Sequence, residues 1–152
     1  KCVFCSEPLV TGRSLRRRSP KSVVDEMLFV KEQHDINHFF LLDSTLTLNR
    51  RLIEGLCEEL IRRDANMTWE GQTRTNLVDE ELLVLMKRAG LVRISFGVES
   101  ADEEVLGLMR KEVSVESMRR AFQLCKKLDI STLCGTMIGN PGDTREKSML
   151  YC

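Results

Sequence analysis

The sequence lacks net charge: 23 Lys and Arg offset 23 Asp and Glu. A balanced surface gives no support to a general nucleic-acid or anionic-membrane interface, so nucleic acid is not an indicated partner. It also lacks any apolar run approaching the roughly 18 residues a membrane span needs, so no span is expected. No charged leader followed by an apolar stretch opens it, and no signal peptide is expected. Nor does it open with Met, and the expectation is a start inside a longer protein. Histidine is scarce. His34 and His38 lack metal-ligand spacing and are assigned no role. Without a secretory signal, the six cysteines (2, 5, 57, 125, 134 and 152) read as cytoplasmic thiols or metal ligands rather than a disulfide framework.

What is present suits one domain, residues 1–152, with enough apolar content for a real core. It opens on Cys2-Val3-Phe4-Cys5. A Cys-x-x-Cys turn brings two sulfurs to one side, where they can grip a metal or exchange as a disulfide. Taken alone, the pair could be half a zinc site, a redox pair or two buried thiols.

A polar, basic loop over 6–19 carries Arg13, Arg16, Arg17 and Arg18, followed by Lys21. A solvated face is the favoured reading of these charges, with an anionic substrate or partner domain as the alternative. Ser19-Pro20 opens a helix to about 33–35. The run His38-Phe39-Phe40-Leu41-Leu42 fits a strand buried on both faces. Helices are predicted over about 49–63 and from Asp79 to Gly90, with a weaker strand over 67–74 between them. A strand over 91–98 ends at Glu99-Ser100; a short helix runs from about 102 to 110, and Ser114 caps another. The last strand, 130–138, ends in Gly139-Asn140-Pro141-Gly142-Asp143.

This alternation means parallel strands with helical crossovers, in a doubly wound sheet or a (β/α) barrel. In both, chemistry collects at the C-terminal ends of the strands. Those ends are Asp43-Ser44, Arg74, Glu99-Ser100 and Gly139 to Asp143.

Cys2-Val3-Phe4-Cys5 resembles the last four positions of the Cys-x-x-x-Cys-x-aromatic-Cys loop of the radical S-adenosylmethionine (SAM) superfamily. The first cysteine of that loop would fall upstream of residue 1. Asp43-Ser44-Thr45, Phe96-Gly97-Val98-Glu99-Ser100 with Val105 through Lys111, and Met137 to Thr144 resemble further blocks of the family in the right order. The nearest branch is the cobalamin-binding type, with cyclase-like and methyltransferase-like members.

The resemblance implies a fragment of a partial (β/α)₆ TIM-type barrel, about strands 2 to 5. It implies a [4Fe–4S] cluster held by Cys2 and Cys5, since such clusters bind soft thiolates. It implies SAM as the second cofactor, with cobalamin in a preceding domain of the intact protein. Its expected partners are a small-molecule substrate and a reductant such as flavodoxin or ferredoxin. On this reading Phe4 packs near the SAM adenine, or is a plain core contact. Asp43 and Ser44 hold the SAM ammonium, or cap a helix. Glu99 faces the ribose hydroxyls, or pairs with an arginine such as Arg74. Arg74 meets a carboxylate, or forms a structural ion pair. Ile138 and Gly139 line the adenine, or form a turn. Cys57, Cys125 and Cys134 read as small core residues, and Trp69 as packing. Two alternatives to a radical modification or methylation enzyme stand: a methylthiotransferase acting on RNA or protein, and a non-catalytic zinc or scaffold module.

Overall fold

A computed structural model describes residues 2–149 except Arg13 and Leu15; Lys1, Arg13 and Cys152 therefore lie outside the described residues. The elements follow in chain order: α1 (Glu7–Val10), α2 (Pro20–His34), β1 (His38–Leu41), α3 (Arg50–Arg62), β2 (Thr68–Thr73), α4 (Glu80–Arg88), β3 (Leu91–Glu99), α5 (Glu103–Leu108), α6 (Val115–Lys127), β4 (Ser131–Thr136) and α7 (Arg145–Ser148).

Side-chain caps start the longer helices where the sequence places them. Ser19, Asn49, Asp79, Asp102 and Ser114 each accept a backbone N–H from the first turn. Each cap satisfies a donor that has no partner within its helix. The stretch expected to be loop from Ser6 contains the single turn α1, because Ser6 and Pro8 suit a helix start.

All four strands are parallel, in the spatial order β1-β2-β3-β4. Chain order and spatial order coincide, so there is no reversal point as in a doubly wound sheet. The helices pack in sequence, α2 on α3, α3 on α4 and α4 on α6. They cover one face of the sheet with a single core that includes Val24, Ile53, Trp69, Leu83, Met86 and Phe96. A one-sided helical layer on parallel strands is the wall of a (β/α) barrel. The opposite face carries a polar clip: His38 Nε2 lies 3.0 Å from one oxygen of Glu70, and Arg93 lies 3.2 Å from the other. Three neighbouring strands are joined by that one carboxylate.

Burial departs from the sequence expectation at both edges. β1 is not buried on both faces: His38 and Phe40 are exposed, and Phe39 and Leu41 are half-buried. Every residue of β4 is exposed, including Cys134, which is therefore not a core residue. Each edge strand has one neighbour, so an apolar side chain there finds cover on one side only. Cys57 and Cys125, on helices, are fully buried as expected. Trp69 is fully enclosed, and its Nε1–H donates to the Ala89 carbonyl at 2.9 Å.

Candidate functional site

The site forms where the N-terminal loop meets the C-terminal end of β3. The Cys5 amide donates to the Cys2 carbonyl at 3.3 Å, closing the turn that carries both thiols. Cys2 is half-buried, Cys5 is exposed, and both are free. The Val3 amide donates to the Met109 carbonyl at 3.1 Å and so fastens the loop to the end of α5.

Glu99 reaches this loop through an unusual backbone. Its φ is 64°, in the left-handed region that costs an L-residue roughly 1–2 kcal/mol. The register between β3 and β4 also slips between Gly97 and Glu99. Such a bulge re-aims a side chain and is common beside functional sites. Here it lays the Glu99 carboxylate back over Gly97. A Cβ on Gly97 would sit 2.7 Å from Glu99 Oε1 and 3.1 Å from Lys111 Nζ, so glycine makes the space.

Lys111 Nζ donates to Glu99 Oε1 at 2.8 Å. The two side chains are 6% and 16% exposed, a nearly buried ion pair. The same ammonium lies 5.9 Å from the centre of the Phe4 ring, within cation–π range. Lys111 thus touches both the cysteine loop and the β3 end. The alternative reading of Glu99 in the sequence is a pair with an arginine such as Arg74. Arg74 instead donates to the Glu112 carbonyl at 3.3 Å, beside Asn76 at 2.9 Å, and steadies the segment that carries Lys111. The usable signal for Lys111 is a single lysine enclosed by Met109 and Val113, straight after a helix.

The remaining predicted residues lie on the neighbouring strand ends. Asp43 is exposed, and its Oδ1 accepts the Thr45 amide at 2.9 Å. It therefore stabilises a turn and does not cap α3, a task that falls to Asn49. Ser44 is exposed in the same turn. Asp43 also lines a cleft of about 320 Å³ with Arg16, Arg17, Arg18 and Asn49. Ile138 is largely exposed. Gly139 has φ of 86°, and its amide donates to Asp143 at 3.0 Å. The Met137 amide donates to the Glu99 carbonyl at 3.0 Å, tying this last strand end to the site. The other Asp143 oxygen is buried without a hydrogen-bond partner among the described residues. Phe4 and Glu99 are thus brought together through Lys111, with Cys2 in the same loop as Phe4, whereas among the described residues no hydrogen bond or ion pair joins Asp43, Ser44 or Arg74 to Phe4, Glu99 or the Lys111 side chain.

Residues 1–150 match the sequence profile of the radical SAM superfamily. The chain belongs to this superfamily. Among curated relatives of this radical SAM chain is the anaerobic magnesium-protoporphyrin IX monomethyl ester cyclase of Rubrivivax gelatinosus. It is 40% identical over 147 residues, covering 95% of this chain and 26% of the relative. Cytidylyl-2-hydroxyethylphosphonate methyltransferase of Streptomyces wedmorensis is 30% identical, over 92% of this chain and again 26% of the relative. The radical SAM chain therefore spans about a quarter of the length of these relatives. The solved structure of TsrM from Kitasatospora setae, a radical S-adenosylmethionine methyltransferase with cobalamin and [4Fe–4S] cluster bound, superposes with a TM-score of 0.87. That match has 25% identity and covers 97% of this chain and 28% of TsrM. Of the two architectures the alternation left open, the barrel wall is the one observed, and it is the radical SAM wall that the family resemblance implied.

The superfamily uses a [4Fe–4S] cluster and SAM. The donors present fit that group as far as they go: two free thiols in one turn, and soft thiolates are what iron–sulfur clusters bind. Among the described residues no cluster of three or more His, Cys, Asp and Glu gathers to complete a site. No helix of the described residues is long and apolar enough to cross a membrane.

Proposed function

We propose that this chain forms the cluster and SAM region of a larger radical SAM enzyme that modifies or methylates a small-molecule substrate. The observation that carries this reading is that Lys111 links the Cys2–Cys5 loop, through Phe4, to Glu99 at one strand end. When bound, the [4Fe–4S] cluster supplies the electron that cleaves SAM to a 5′-deoxyadenosyl radical.

The chain's own residues have simpler tasks. Cys2 and Cys5 supply two of the cluster's thiolates, with a third cysteine expected upstream. Phe4 offers a ring face beside them for the adenine. Glu99 accepts hydrogen bonds from the ribose hydroxyls, and its left-handed backbone fixes the direction in which it does so. Asp43 and Ser44 face the SAM ammonium, and a carboxylate suits that cation. Arg74 holds the segment bearing Lys111, and Gly139 with Ile138 forms the opposite wall. Together with residues 1–152, the intact protein carries the rest of the barrel. The TsrM and methyltransferase likenesses support cobalamin as its additional cofactor. A reductant of the flavodoxin or ferredoxin type would deliver the electron, in the cytoplasm.

The test is anaerobic reconstitution of the full-length protein with iron and sulfide. The expected result is a brown protein that releases 5′-deoxyadenosine from SAM, with C2A and C5A taking up no intact cluster. Tight zinc binding with no iron uptake would sink the proposal in favour of a zinc module.

A further inference from the structure

Lys111 is the least exposed charged residue of the candidate site, and nothing in the assigned roles uses it. A buried ammonium is costly unless paired, and Glu99 is the carboxylate that pairs it. Its backbone is held as firmly as its side chain. Arg110 takes a left-handed φ of 51°, and the Lys111 amide returns to the Leu106 carbonyl at 3.0 Å. On the next residue, Arg74 and Asn76 both grip the Glu112 carbonyl. The segment 110–112 is thus clamped from two sides, and the lysine projects from it into the space that Gly97 leaves open.

Two parts of the site converge on that one ammonium, and a third is fastened to the backbone just before it. It holds the carboxylate at the end of β3. It lies under the Phe4 ring of the cysteine loop. Two residues before it, the Met109 carbonyl receives the Val3 amide. We propose that Lys111 is a positioning residue that sets the cysteine loop in register with the Glu99 carboxylate before iron or SAM binds. It rests on the reading of Cys2, Cys5 and Glu99 given above. The lysine acts through Glu99 and Phe4. A site assembled in advance loses less on binding than one that must order its loop at that moment.

The experiment uses the full-length protein and four variants: K111M, K111R, E99Q and the double variant E99Q/K111M. The double variant removes both charges together, so neither is stranded in the interior and the protein keeps a foldable core. Amide hydrogen exchange is followed at Val3 and Cys5 in the iron-free protein. SAM affinity and iron content are measured after reconstitution. K111M is expected to accelerate exchange at Val3 and Cys5 and to weaken SAM binding roughly tenfold, the scale of one charged hydrogen bond. Iron content stays at the level of the parent protein. K111R restores most of both. In the E99Q background the further loss of SAM affinity from K111M is small, because the lysine works through the carboxylate.

Unchanged loop exchange in K111M overturns the proposal. So does a SAM affinity that is unchanged, or that falls additively with E99Q, even if the melting temperature drops. A parent protein that takes up no iron defeats the functional reading instead. The exchange measurement on iron-free protein then still decides whether the lysine sets the loop.

Discussion

The Glu99–Lys111 pair and the Arg50 cluster are both built from opposite charges, but they sit in different surroundings. At the strand end, the lysine is 6% exposed and has one carboxylate partner. On the helical flank, Arg50 is 41% exposed and meets Glu54, Asp79 and Glu81, joining α3 to α4. Solvent screens the flank, and any one of its contacts can be replaced by water. At the strand end neither partner has that option. The number of ion pairs is therefore a poor guide to what they contribute. The flank has more bonds and less at stake, while the single enclosed pair dictates where a loop and a strand end can lie.

The largest expected effect comes from breaking the enclosed pair on one side only. Glu99→Ala leaves the lysine buried without its partner and should lower the unfolding free energy by about 3 kcal/mol, read from the urea midpoint. Gly97→Ala should cost about 1–2 kcal/mol, because the new methyl overlaps the carboxylate and the ammonium must move. A G97A protein as stable as the parent would show that the pair has room to shift.

On the flank, Arg50→Ala should cost about 0.5–1 kcal/mol, shrinking further in molar salt. A loss as large as that for Glu99→Ala would erase the contrast. The flank should also carry the acid sensitivity. Hydrogen bonds from Lys21 and then Arg63 hold Asp25 below the usual carboxylate range. Arg50 and the Leu82 amide do the same for Asp79. Arg62, and after it Arg63, bring Glu59 down to about 2. A folded pKa below the unfolded one means the unfolded chain takes up more protons in acid. The stabilisation is thus complete above about pH 4–5 and is lost as pH falls toward the depressed values. Melting temperatures measured down to about pH 3 should fall less steeply in Arg62→Ala and Arg63→Ala than in the parent. The smallest effect leaves stability untouched. Burial pushes the Cys57 thiol up to about 12 and Cys125 to about 11, so both should resist alkylation in the folded protein. Cys5 is exposed and should label before either of them, whereas burial and the neighbouring Glu99 push the Cys134 thiol up and should slow it, as mass mapping would show.

Element order and strand ends were readable because helix caps and apolar periodicity are local. Ser19, Asp79 and Ser114 cap where the sequence puts them. Burial of the edges was not readable, because it depends on what lies beside a strand. Phe40 and Leu133 look like core residues and are about half exposed. The partner of Glu99 was also hidden. Its direction comes from a left-handed residue and a register slip after Gly97, and neither has a signature in the order of amino acids. The aspartate at 43 reads from the sequence as an ammonium ligand or a helix cap, and only the backbone shows the turn it closes.

Trp69 is the only tryptophan in the sequence, sealed between β2 and α4 with its indole N–H already engaged. Within residues 1–152 that indole is an optical gauge. Emission from an enclosed indole lies toward the blue and shifts to the red once water reaches it, so unfolding of the barrel wall can be followed without a label. Iron–sulfur groups absorb in the near ultraviolet, so loading the cysteine loop would dim the same emission. One residue far from the chemistry then separates two events that activity alone would merge: a wall that has opened and a loop that has stayed empty.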